Sequence, residues 1–119
     1  MAEDFDTEIQ NRVTAIFSDI VKPLTDELIS DFNGVDGIQA ELVSDIPVIM
    51  GIKQYKSIMF KLPTGVEHVI CVYWVDGGSE IVAENIRMVT LNRSFDIFDL
   101  DVDELKKTIK VLAGLGKHV

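Results

Sequence analysis

The chain has 119 residues, 47% of them apolar and 26% charged, and a formal net charge of -9. That length suits one domain that buries roughly 65% of its unfolded surface, and no apolar run reaches the roughly 18 to 20 residues of a membrane helix. The acidic start MAEDFDTEIQ lacks the basic and apolar regions of a secretory leader, and the lone Cys71 excludes an intramolecular disulfide. The expectation is a single cytoplasmic domain over 1–119, with 1–3 and 115–119 as mobile tails.

Charge is unevenly placed. Residues 1–45 hold eleven acids against Arg12 and Lys22, and so carry the whole imbalance. Such a field repels phosphate backbones, which argues against direct nucleic-acid binding, and attracts basic surfaces. Asp4, Glu8, Asp19 and Asp26 mark this segment as a landing surface for a basic partner. The plainer reading of the same acids is a solvated face that keeps the protein soluble.

In chain order, the first predicted element is a long amphipathic helix over 5–32. Phe5, Ile9, Val13, Ile16, Phe17, Ile20, Val21, Leu24 and Leu28 recur at spacings of three and four. Pro23 removes a helical N–H and predicts a kink or two successive helices. Asn33 and Gly34 suit a left-handed cap at its end. Strand-like alternation follows at Ile38, Ala40, Leu42 and Ile46, then a short run VIMGI, then Ile58, Phe60 and Leu62. The turn signals PTG at 63–65 and DGG at 76–78 bracket VEHVICVYWV, so the centre of the chain reads as an antiparallel meander. Residues 79–91 fit a strand better than a helix, because they follow a tight turn and end in MVTL. A closing helix over about 102–114 carries Val102, Leu105, Ile109 and Leu112 on one stripe, with Gly114 and Gly116 to end it.

The densest acidic stretch, SFDIFDLDVDELKKTIK, offers Asp99, Asp101 and Asp103 as candidate ligands for a divalent cation. An EF-hand loop begun at Asp99 would need glycine at its sixth position and glutamate at its twelfth. Glu104 and Lys110 stand there instead. The alternative is a helix start, with Asp101 as N-cap and Glu104 three residues on as in a capping box. That alternative is the preferred one, and no metal or other cofactor is assigned.

His68 and Cys71 are the one nucleophile–base pairing the chain suggests, but an offset of three on a strand points them to opposite faces. Phosphate-loop, zinc and nucleophile-elbow spacings are absent. Lys53, Lys56 and Lys61 form a small basic group near Tyr55. An enzyme is not expected.

The strand over 66–75 is apolar on both faces, as in a central strand covered on both sides. One face carries His68, Ile70, Val72 and Trp74, and the other Val69, Cys71, Tyr73 and Val75. Its neighbours have a mixed second face, through Gln39, Glu41, Ser57 and Lys61. Helices on one side would leave an apolar centre with a polar border on the other, where Met59, Val69, Tyr73 and Val75 suit a protein interface. Closure of that second side by the C-terminal helix is the competing outcome.

The sequence therefore predicts an α+β fold: a long N-terminal helix kinked near Pro23, an antiparallel sheet of four to five strands, and a C-terminal helix. The expected function is a non-catalytic, adaptor- or chaperone-like binding module, a homodimer that docks a protein partner by its sheet face or its acidic helix. The alternatives are an acidic inhibitor of a basic, nucleic-acid-binding surface, and a small-ligand or metal-binding domain. In outline alone the architecture is similar to secretion-chaperone-like dimers and to small inhibitor or immunity proteins, which assigns no site.

Overall fold

A computed structural model describes residues 2–35, 37–43, 52–75, 77–88 and 90–114, with side chains from residue 7 onward apart from that of Lys53. The architecture is α+β, a five-stranded antiparallel sheet with helices before and after it. The chain opens with α1 (Ala2–Ile16), passes through a π-helical turn (Phe17–Val21), and continues as α2 (Lys22–Asn33). Dihedrals stay helical at Ile16, Val21 and Lys22. These residues amount to about 48 Å of helix at 1.5 Å per residue, within a longest dimension of 52 Å.

The π turn lies immediately before Pro23. Pro23 has no N–H to return to the preceding turn, and the Lys22 N–H bonds to the carbonyl of Phe17, five residues back. The apolar stripe stays on one side throughout: Ile9, Val13, Phe17, Val21, Leu24 and Leu28 are all buried.

The expected left-handed cap at Asn33–Gly34 is not formed, since Gly34 keeps a right-handed conformation with φ -82°. Asn33 acts instead as a surrogate strand residue. Its amide donates to the carbonyl of Ala40 and accepts from the N–H of Ala40, both at 2.8 Å. That pairing fixes the start of β1 (Gln39–Leu42) against the helix. Among the described residues of the predicted strand over 38–46, these four form it. Ile46, and all of VIMGI except Ile52, fall outside the described residues.

The meander then runs as predicted through β2 (Ile52–Lys61), β3 (Glu67–Val75) and β4 (Glu80–Asn85). Gly65 and Gly77 take positive φ at the two turns, 88° and 85°, conformations open to glycine at little cost. The predicted strand at 79–91 ends at Asn85. A turn closed by Asn85 N–H to the Leu91 carbonyl leads into β5 (Asn92–Asp96), a strand the periodicity does not reveal. Strand order is β1-β2-β3-β4-β5, each antiparallel to the next.

The closing helix, α3 (Val102–Leu112), starts where the aspartate stretch predicts. Asp101 is extended and its carboxylate accepts from the Glu104 N–H at 3.2 Å. The reciprocal half of the capping box is missing, because the Glu104 carboxylate is taken by Arg93 of β5 at 2.9 Å. Gly114, φ 75°, ends the helix as expected.

One core cluster contains helix residues from both ends of the chain and, from the sheet, Ala40, Ile58, Phe60, Ile70, Val72, Trp74, Ile81, Ala83 and Phe95. Every one of those strand residues lies on the same face by register. The helices therefore share one side of the sheet. No helix among the described residues is long and apolar enough to cross a membrane.

Candidate functional site: the outer face of the sheet

The opposite face is built by strand alternation. Successive side chains point to opposite sides, so once Ile58, Ile70 and Ala83 enter the core, their odd-numbered neighbours on β2 and β3 and the even-numbered ones on β4 face outward. Three rows cross the sheet there. Glu41, Met59 and Val69 form the first, Ser57, Cys71, Glu84 and Asn92 the second, and Tyr55, Tyr73, Val82 and Ser94 the third. Val75 extends the β3 column beyond the third row, opposite Ile52.

All four interface residues expected from sequence on the sheet, Met59, Val69, Tyr73 and Val75, share this face, and Met59 and Val69 are direct cross-strand partners. Met59 and Val69 are half-buried, Val75 is 38% exposed, and Tyr73 is 9% exposed. Tyr55 and Val82 complete the apolar centre, and Glu84 brings a carboxylate into it. Sequence alone does not single out these three, because residues 79–91 leave the register of β4 open and Tyr55 reads as part of a lysine group. The competing outcome, closure by the C-terminal helix, does not occur: α3 packs its buried residues into the core on the other side.

Polar groups inside the patch feel their surroundings. Burial pushes the Cys71 thiol up to about 11, with the Ser57 hydroxyl opposing and the Glu84 charge adding to the rise. A thiol held that high is protonated at neutral pH and is a poor nucleophile. Burial, followed by the charge of Glu84, also holds the Tyr73 hydroxyl above its ordinary value. Burial raises the carboxyl of Glu84, while its hydrogen bond from Tyr73 works in the other direction. The Ser57 oxygen, 1% exposed as a residue, lies beside the Cys71 thiol and has no other hydrogen-bond partner among the described residues.

The border of the patch is acidic. Glu41 lies on one side, Glu80, Glu84 and Asp96 on the other, and Glu67 beside Lys61 at one end. Glu67 is paired with Arg87 at 3.4 Å, and the Asp96 carboxylate accepts from the Phe98 N–H.

The other candidates are scattered. On the helical rod, Glu8 and Asp19 are exposed, Asp19 accepts from Ser18, and Asp26 is paired with Lys22 at 3.2 Å. Asp4 belongs to α1, but its side chain is outside the described part. Asp101 is engaged as the cap, and Asp99 sits in the preceding turn, its N–H bonded to the Asp96 carbonyl. Asp103 lies in the first turn of α3. Among the described residues no group of three or more His, Cys, Asp or Glu side chains is placed to hold a metal ion.

His68 faces the core side, with Nδ1 3.0 Å from the amide nitrogen of Asn85, away from Cys71 on the outer face. Lys56 and Lys61 point to opposite faces of β2, which splits the lysine group. A groove of about 430 Å³ between the π turn and β2 is lined by Phe17, Ser18, Lys22, Gln54 and Lys56, among others, and no carboxylate or imidazole is among its described lining residues.

The chain matches no family model, no curated protein and no solved structure.

Proposed function

We propose that this protein is a non-catalytic binding module that docks a protein partner on the outer face of its sheet. One observation carries the reading: every described helix packs on one side, and the other side holds an apolar centre inside a polar border. A sheet face of this kind is normally buried against another layer, and such patches mark interaction sites. Cys71, protonated and buried, and His68, on the other side, give no support to a catalytic pairing.

The face is a better docking surface than the acidic helix. Of the helical acids expected to meet a partner, Asp26 already has Lys22 as counter-ion. Self-association through the outer face would set Glu41, Glu80 and Glu84 of two copies near one another, so a foreign partner fits better than the homodimer expected from sequence. The overall charge of -9 likewise opposes nucleic acid as that partner.

The test is a photo-crosslinking amino acid placed at Val69 or at Glu8, one per protein, in the native lysate. A stoichiometric adduct at position 69 and none at position 8 supports the sheet face. Adducts confined to position 8 overturn it in favour of the acidic helix.

A further inference from the structure

The dimensions and charge of the outer face restrict what can cover it. From Val69 to Val75 the β3 column is about 20 Å long at 3.3 Å per residue, and from β2 to β4 the patch is about 10 Å wide at two strand spacings. One α-helix is about 10 Å across, and 20 Å of it takes about 14 residues. The patch has the size of one helix laid along the strands. Carboxylates stand at both of its long edges, Glu41 of β1 beside Met59, and Glu80 and Glu84 on β4 either side of Val82, and Lys61 stands at its end, opposite Glu67.

Resting on the reading of this face as a docking surface, we propose that its occupant is an amphipathic helix of a partner protein, with an apolar stripe flanked by Lys or Arg. The stripe covers Met59, Val69, Tyr73 and Val82. The basic flanks meet Glu41 on one side and Glu80 and Glu84 on the other. Neutralising Glu84 by a cation stabilises its charged form, which burial alone disfavours. A contact of this size belongs with transient rather than obligate assemblies.

Three labelled peptides of about 18 residues test the assignment by fluorescence anisotropy against the full chain. The first has leucines at helical spacing and lysines elsewhere, the second the same leucines with glutamates elsewhere, and the third the first peptide's composition with the stripe scrambled. The expected result is saturable one-to-one binding of the first alone. Val69→Asp, and separately Glu80→Lys with Glu84→Lys, should weaken it at least about tenfold, and Glu8→Lys with Asp19→Lys should leave it unchanged. Circular dichroism confirms that each variant is folded, and the surface charge variants carry the test if Val69→Asp is not.

Equal binding of the scrambled peptide, or loss of binding on reversal of Glu8 and Asp19, overturns the proposal as simple charge attraction. Preference for the glutamate peptide overturns it as well, and so does a dimer in sedimentation that Val69→Asp dissolves, because the occupant would then be a second copy. A crosslinked partner at position 69 with no binding of the lysine peptide would sink this inference and leave the docking surface standing. Absence of both would sink the two together.

Discussion

The side-chain amide of Asn85 donates to the carbonyl of Leu112 at 2.9 Å, joining the end of β4 to the end of α3 inside the core. The same nitrogen lies 3.0 Å from His68 Nδ1 on β3, and the amide oxygen accepts from the Arg87 N–H in the following turn. Asn85 is fully buried, so each of these groups would otherwise be desolvated without a partner. It is the polar pin of the helical side.

Replacing it should be costly. Asn85→Ala strands the Leu112 carbonyl and the His68 nitrogen, and the expected loss is about 2–3 kcal/mol. Thermal unfolding should shift down by roughly 10 °C or more. A change within a few degrees would show that water or a repacked neighbour replaces the amide.

The cap of α3 gives a smaller, graded pair. Asp101→Ala removes the acceptor for the Glu104 N–H and should cost about 1 kcal/mol. Glu104→Gln keeps that bond but weakens the partly exposed pair with Arg93, for an expected loss of at most about 1 kcal/mol. Urea unfolding of the two variants should reproduce this order.

Cys71 predicts an alkaline limit to stability. Its thiol is raised from 9.0 to about 11 in the folded protein. Its contribution is therefore complete below pH 9 and is lost as pH rises through the folded value. Linkage across that interval amounts to roughly 2–3 kcal/mol. Denaturant titrations should show a fall above pH 9 that is shallower in Cys71→Val. At pH 8 the native thiol should react with Ellman's reagent only slowly until denaturant is added.

Glu84 predicts a slope at the acid side. Its carboxyl is raised above 4.5 on folding, so the folded state retains a proton that the unfolded chain has released. The associated stability is present below pH 4.5 and is lost as pH rises through the raised value. Glu84→Gln should thus be more stable than the native chain near neutrality, with the difference closing below pH 4.5. An unchanged difference across pH would mean that the carboxyl is not ionising against burial.

Ser57 separates stability from binding. Its hydroxyl is buried with only the weak Cys71 thiol beside it, so Ser57→Ala should be neutral or stabilising in the isolated protein. Because that hydroxyl is sealed from the surface, the same variant should bind the lysine peptide as the native chain does. Lower melting temperature in Ser57→Ala would show that the hydroxyl already has a structural role.

Much of this architecture could be read from residues because local chemistry and global packing agree. Asp101 announces its helix, Gly65 and Gly77 mark their turns, and the two apolar faces of β3 identify the central strand. The features that escaped are those where the local signal is weak or points elsewhere. In β5 only Phe95 is buried, so Asn92–Asp96 has no alternation to recognise, and the strand exists because β4 offers it an edge. Asn33 resembles a helix cap and instead imitates a strand, a role set by Ala40 seven residues away. Glu84 joins the candidate site only through its register with Cys71.

The order of the strands has a consequence for synthesis. The meander folds along the chain, each strand meeting the one just made, whereas the helical rod comes first and its partners come last. Arg12 waits for the carbonyl of Ile97, and Glu27 for Lys106, across separations of 85 and 79 residues. On a ribosome adding about 5–20 residues per second, the apolar stripe of the rod emerges several seconds before the sheet that buries it. The nascent chain passes through an interval in which its most acidic segment is also its stickiest, and the acids on that helix then have a second use, keeping unfinished chains apart.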